Sequence, residues 1–307
     1  MNRQVVSEQL YDQTPAGVLV PSGSSTAISY STTTSVNTAK HDGLELLNLF
    51  RKHGLNPNRS PSLLALISGA TRLSDALLTA QDDEQSYPDI FSALQLSRIL
   101  DAVAGVTKDD ALPRVLGELL EGNISLLERR RSKAKDTLWE LELLRILRAN
   151  GVHAVLGEPD ILLAGSTGDI GVACKKLYSD ANFAKVLSVA IDQIHRSEKQ
   201  GLVAVNIDDL LPNNAILQAD NQPTASKIIN DCLSDFMAAQ DRHLRRYLQP
   251  GRTVAIVVSC AALADLKDSE PQFWNFRQTV AWHIPWVSQE NDAEFKAILS
   301  AFDRPLA

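Results

Sequence analysis

An aspartate and a lysine are spaced along the chain so that a hairpin would bring them together. Asp160 opens the strand-like stretch EPDILLA, Lys175 lies near the end of GVACKK, and the turn GSTGD separates the two stretches. An antiparallel return would place the end of one strand beside the start of the other. We therefore expect the Lys175 ammonium to lie within reach of the Asp160 carboxylate.

A second carboxylate comes from the helical stretch WELELLRIL. Glu140 lies there beside Leu143, Leu144 and Leu147, which recur at helical spacing, so the glutamate borders an apolar stripe and faces inward. Two carboxylates held close together suit a hard, oxygen-binding cation such as Mg²⁺ or Mn²⁺. A nearby lysine can balance charge on a phosphate or help to activate water. The residue types predict metal-dependent chemistry on a phosphate group.

The surrounding sequence predicts an α/β fold in which a mixed sheet is flanked by helices. Residues 1–40 are rich in Ser and Thr and are interpreted as a flexible segment, although their β-branched residues could add a strand. Residues 41–122 show apolar residues at helical spacing and form a helical N-terminal region. Residues 123–307 begin with one long helix that ends at Gly151. Strand and helix signals then alternate, from HAVLGEPDILLA to the strand QTVAWHIPW and the final helix DAEFKAILSAF.

The ordered motifs resemble the PD-(D/E)XK, or restriction-endonuclease-like, nuclease superfamily. The resemblance rests on WELELL in a helix, EPDI and GVACKK in strands, and AIDQI in the next helix, and covers about residues 125–260. It implies a restriction-endonuclease-like core and a Mg²⁺- or Mn²⁺-dependent nuclease. Carried across by position, it implies catalytic roles for Glu140, Asp160, Lys175 and Gln193.

The sequence departs from that pattern at Ala173, where the superfamily places the acid of its acid-x-lysine motif. One interpretation is that another carboxylate completes the metal shell. The candidates are Glu140, Asp192 and Glu158, and Glu158 shares a strand face with Asp160. A second is a single metal held by Asp160, Glu140, a backbone carbonyl near Cys174 and water. A third is that catalysis is lost and the domain binds nucleic acid or a protein.

Basic residues predict contacts with nucleic acid. The candidates are Arg130 and Arg131 in ERRRSKAK, Lys176 after the candidate lysine, and Arg245 and Arg246 in RHLRRYL. A solvated helix face explains such basic clusters about as well as a contact with nucleic acid does. The net charge of −7 restricts any nucleic-acid groove to a local patch.

The composition limits the class of protein further. The 307 residues include no apolar run of membrane-spanning length, and the first residues lack the apolar core of a signal peptide. Cys174, Cys232 and Cys260 match neither a disulfide framework nor a zinc spacing, which favours the cytoplasm.

The leading hypothesis is a metal-dependent nuclease that hydrolyses phosphodiester bonds, in DNA by preference, in defence against foreign DNA or in repair. The alternative is an inactive nuclease-fold protein that acts as a nucleic-acid-binding or scaffold subunit. A third option makes the helical region before residue 125 a sensor or an oligomerisation module. The sequence leaves both a homo-oligomer and a partner subunit open.

Overall fold

The computed structural model describes residues 2–13, 19–33, 38–79, 86–165, 169–197, 200–211, 216–247, 253, 255–270 and 272–283. The chain begins with two strands, β1 (Asn2–Gln13) and β2 (Leu19–Thr33), which pair antiparallel. Strand β2 also pairs with a strand from the other end of the described chain, Phe273–His283. Residues 2–13 and 19–33 thus form strands, which the alternative of an added strand had allowed. Because the partner strand Phe273–His283 lies far away in the sequence, residues 19–33 show no local apolar period from which their strand could be predicted.

Four helices follow, as predicted for residues 41–122. Apolar residues at helical spacing form their buried faces, and Leu46, Phe50, Leu63, Leu94 and Leu116 are almost completely buried. Ser60 precedes Pro61, and its hydroxyl accepts a hydrogen bond from the amide of Leu63, as an N-cap does. The helices are α1 (Ala39–Lys52), α2 (Pro61–Thr79), α3 (Tyr87–Ala104) and α4 (Leu112–Leu119).

The next helix, α5 (Lys133–Ala149), begins later than the sequence pattern predicts. The basic stretch before it is not helical, because the Lys135 ammonium donates hydrogen bonds to the backbone carbonyls of Glu128 and Arg130. Ser132 then adopts an extended conformation, with φ −153° and ψ 136°. The correction moves Arg130 and Arg131 from a helix face to an irregular segment.

A mixed sheet follows, flanked by helices, which confirms the α/β prediction. Its elements are β3 (Ala154–Leu156), β4 (Ile161–Ala164), β5 (Asp169–Lys176), α6 (Phe183–Arg196), β6 (Gln200–Asn206), β7 (Leu217–Ala219), α7 (Gln222–Tyr247), β8 (Ala255–Leu266) and β9 (Phe273–His283). In the described residues the strand order is β1-β2-β9-β8-β6-β5-β4-β3, and β7 pairs with β8. Strands β5, β6 and β8 are parallel, whereas β3, β4 and β5 are antiparallel neighbours.

Two apolar clusters cover opposite faces of this sheet. Helix α5 and the N-terminal helices share one cluster with Val172 and Cys174 of β5. Helices α6 and α7 share the other with Ala173. Alternate residues of β5 thus enter different clusters, as expected for a central strand buried on both faces.

Among the described helices, none combines the length and apolarity that crossing a membrane requires. The predicted final helix DAEFKAILSAF falls within residues 284–307 and lies outside the described residues.

Candidate functional site

The hairpin of β4 and β5 positions the aspartate and the lysine as predicted. Ile161 lies opposite Val172 in an antiparallel register, and Asp160 directly precedes β4. One carboxylate oxygen of Asp160, Oδ2, accepts a hydrogen bond from the amide of Cys174 at 2.7 Å. The same oxygen accepts from Lys175 Nζ at 3.0 Å. The backbone of β5 therefore fixes the carboxylate, and the lysine side chain balances its charge.

The chain before Asp160 is held by the strand beside it and by α6. A Cβ atom added at Gly171 would lie 2.8 Å from Cδ of Pro159, so only glycine fits this close approach without a shift. Gln193 on α6 donates from Nε2 to the carbonyl of Pro159 at 2.7 Å and to Oδ1 of Asp160 at 3.4 Å. The structure thus brings Gln193 to the aspartate, where the sequence placed it.

Glu140 lies on α5 and is buried, with 8% of its surface exposed. Burial and, to a smaller extent, the negative charge of Asp160 raise its pKa to about 7, against the opposing charge of Lys133. Burial also raises the pKa of Asp160, against the opposing effect of Lys175. The two carboxylates are therefore close enough to affect each other, and their negative charge is only partly balanced.

Sequence reasoning missed three residues around Glu140. Lys133 Nζ lies 4.0 Å from Oε1 of Glu140 and 3.3 Å from Oε2 of Glu118. Thr137 donates its hydroxyl hydrogen to Glu118 at 3.0 Å. Lys133, Thr137 and Glu140 are spaced i, i+4, i+7 on α5, so helical spacing could have shown that they share a face. The contribution of Glu118 depends on the packing of α4 against α5, which no local pattern reports.

Other predicted site residues lie outside this cluster. Ala173 is fully buried in the apolar cluster below α6. Glu158 and Asp192 are exposed, and neither forms an ion pair within the described part of the chain. No hydrogen bond or ion pair of the described residues joins the side chain of the candidate metal ligand Glu158 to the cluster, and its role stays a prediction.

The predicted nucleic-acid contacts divide into buried and accessible residues. Lys176 was expected to contact nucleic acid but is buried, with Nζ 2.8 Å from the carboxylate of Asp209 and 2.7 Å from Oδ1 of Asn206. The remaining candidates keep some access to solvent. Arg130, Arg131 and Arg246 are exposed, whereas Arg245 is half-buried and forms an ion pair with Asp241.

A second cluster of charges lies deeper in the molecule. Arg98 of α3 binds the carboxylate of Glu142 through two hydrogen bonds and donates to Asp208 at 2.7 Å. Arg277 of β9 donates to Glu142 at 2.8 Å, and its guanidinium lies 5.4 Å from the ring centre of Trp139. Burial alone would raise the pKa of Glu142, but the two arginines hold it below its usual range. This cluster joins the N-terminal helices to the sheet with balanced charge.

The carboxylate oxygens of the candidate site fit a divalent cation whose coordination shell is completed by other groups. Within the described residues, no three His, Cys, Asp or Glu side chains converge as metal ligands. Glu140 and Asp160 offer two carboxylates. Mg²⁺ often takes one or two carboxylates and completes its shell with water and substrate phosphate. The two side chains therefore fit an open Mg²⁺ or Mn²⁺ site rather than a closed structural one.

Comparisons with protein families, with curated proteins and with solved structures found no match to this chain.

Proposed function

We propose that this chain is a Mg²⁺- or Mn²⁺-dependent nuclease that hydrolyses phosphodiester bonds, in DNA by preference. The observation that carries the proposal is the Asp160 carboxylate held by Lys175, the Cys174 amide and Gln193, beside the buried Glu140. The order of elements around it supports a restriction-endonuclease-like core. A helix is followed by three antiparallel strands, a second helix and a parallel strand.

Each residue has a chemical role in this proposal. Glu140 and Asp160 would hold the cation, which supplies Lewis-acid chemistry by polarising a phosphate oxygen. Lys175 is 21% exposed at its side chain, so its ammonium can also contact a phosphate oxygen and stabilise developing negative charge. Gln193 fixes the orientation of the Asp160 carboxylate through its amide. Arg130, Arg131 and Arg246 are exposed and available for backbone phosphates.

Cleavage of labelled DNA and RNA in Mg²⁺, Mn²⁺ or EDTA tests the proposal. We expect metal-dependent cleavage that Lys175→Ala lowers by about 100-fold or more, because it removes a charge at the reacting phosphate. Lys227→Ala is the matched control, since Lys227 is an exposed lysine on α7 whose ion pair is local. Cleavage that survives Lys175→Ala at the control rate would contradict the proposed site.

A second function is favoured by the burial of Ala173. A fully buried alanine in an apolar cluster supplies no third ligand, which is consistent with a nuclease fold that only binds nucleic acid or a partner protein. DNA retention without cleavage by the parent protein, with cleavage gained in Ala173→Glu, would support this alternative. Circular dichroism must show that the variant folds, because the new carboxylate enters a buried position.

A further inference from the structure

A cavity separate from the carboxylate site lies between the N-terminal helices and the sheet domain. Its volume is about 450 Å³, which is within the range of small-molecule sites. Phe91 of α3 and Leu126 line one side, and Ile216, Ile228 of α7 and Leu263 of β8 line the other. Its wall is therefore largely apolar and comes from segments far apart in the sequence.

The polar groups of the cavity differ in how their charges are balanced. Asp208 is paired with Arg98 and accepts a hydrogen bond from the amide of Ala261 at 2.7 Å. Asp209 is paired with Lys176. Both carboxylates that line the cavity are thus neutralised, and neither favours a cationic ligand.

Arg129 is the exception. Its guanidinium donates to the backbone carbonyl of Leu211, and within the described residues it makes no ion pair. Arg129 is exposed, so its positive charge lies at the cavity lining in contact with solvent, without a carboxylate partner among the described residues. Arg98 also lines the cavity, and its Nη1 atom makes no hydrogen bond to any other described residue. Both arginines thus line the cavity, and each has donor atoms that make no hydrogen bond to a described residue.

We propose that this cavity binds a small organic anion, with a carboxylate or phosphate head group near Arg129 and Arg98 and an apolar, ring-sized body against the apolar wall. Guanidinium groups suit both head groups because their planar donors match paired oxygen atoms. The proposal does not depend on the nuclease function, since it involves neither the carboxylate site nor nucleic acid.

Titration with 8-anilinonaphthalene-1-sulfonate, an aromatic anion that fluoresces in apolar sites, tests the proposal on the full chain. We expect saturable binding at one site, weakened about tenfold or more by Arg129→Gln. Arg131→Gln is the matched control, because it removes the same charge two residues away at a side chain that is not among the cavity lining. Ala262→Phe, which adds bulk at the cavity wall, should also weaken binding. Near-UV circular dichroism confirms that the dye reports a folded protein.

Competition with matched naphthyl compounds separates the anionic head group from the apolar body. We expect 2-naphthoate or 2-naphthyl phosphate to displace the dye, and the stronger of the two identifies the head group. Neutral 2-naphthol should displace it at least tenfold less well. Equal dye affinity in Arg129→Gln and Arg131→Gln, equal displacement by 2-naphthol, or no saturable binding would each overturn the proposal. The result of this dye-binding test does not depend on whether the chain proves to be a nuclease.

Discussion

Two glutamates on one helix have opposite electrostatic environments. Glu140 and Glu142 are two residues apart on α5, and both are buried. Glu142 is bound by the guanidinium groups of Arg98 and Arg277, and its pKa is held below the usual range. Glu140 has Lys133 at 4.0 Å, and burial together with the Asp160 charge raises its pKa to about 7.

The difference separates a charge that supports the fold from one available for chemistry. A buried carboxylate with matched partners joins elements, and removing it leaves the partners' charges buried without compensation. A buried carboxylate with a raised pKa destabilises the unliganded protein above neutral pH. Such a group is a candidate for binding a cation or a proton. Glu142 fits the first description and Glu140 the second.

The largest effect should follow from removing the balanced charge. We expect Glu142→Ala to lower the free energy of unfolding by about 3–5 kcal/mol, because the buried Arg98 and the half-buried Arg277 would both lose that carboxylate. Urea unfolding measures the change. Glu45→Ala, at an exposed glutamate of α1, is the control and should change stability by about 0.5 kcal/mol or less. A loss below about 1 kcal/mol for Glu142→Ala would show that the cluster does not support the fold.

Removing the charge of Glu140 should have the opposite effect and raise the free energy of unfolding. Its folded-state pKa of about 7 exceeds the ordinary value of 4.5, so the folded state binds the proton more tightly. The contribution of Glu140 to the free energy of unfolding therefore falls as the pH rises from about 4.5 to 7, and it stays constant above pH 7. In EDTA at pH 8, Glu140→Gln should raise the free energy of unfolding by about 1–3 kcal/mol, because it removes the buried charge.

Urea unfolding across a pH series distinguishes this effect from simple packing. At pH 4.5 the wild-type carboxyl is largely protonated, so most of the gain from Glu140→Gln should vanish. A gain of the same size at pH 4.5 and pH 8 would show that protonation of Glu140 is not its cause.

A smaller effect should follow from removing Lys133. Its side chain is 44% exposed, so its ion pairs with Glu118 and Glu140 are partly screened by solvent. We expect Lys133→Met to change stability by less than about 1 kcal/mol. It should nevertheless raise the pKa of Glu140 further, which ¹³C NMR of the side-chain carboxyl can follow. An unchanged or lowered pKa would show that Lys133 does not oppose the shift.

The sequence predicted those features of the site that depend on short-range geometry. The hairpin, the contact of Lys175 with Asp160 and the inward position of Glu140 follow from strand alternation and helical spacing, whereas the place of Gln193 was implied by the resemblance of the ordered motifs. These patterns repeat every two to four residues, so one chain suffices to read them.

Features that depend on distant contacts were not predictable in this way. The N-terminal strands rely on pairing with β9, and Lys176 is buried because Asp209 provides a carboxylate partner. The late start of α5 reflects the hydrogen bonds of the Lys135 side chain to preceding carbonyls. In each case the partner is chosen by tertiary structure, and local propensity does not report it.

Binding of Mn²⁺, measured by electron paramagnetic resonance of the free ion, tests the carboxylate site most directly. At pH 8 we expect one ion per chain, at least tenfold weaker binding in Asp160→Asn, and wild-type binding in the exposed control Asp110→Asn. Wild-type affinity should fall between pH 8 and pH 6, because Glu140 takes up a proton that competes with the ion. Equal affinity in the wild type and Asp160→Asn, or no binding at pH 8, would contradict a metal site at Glu140 and Asp160.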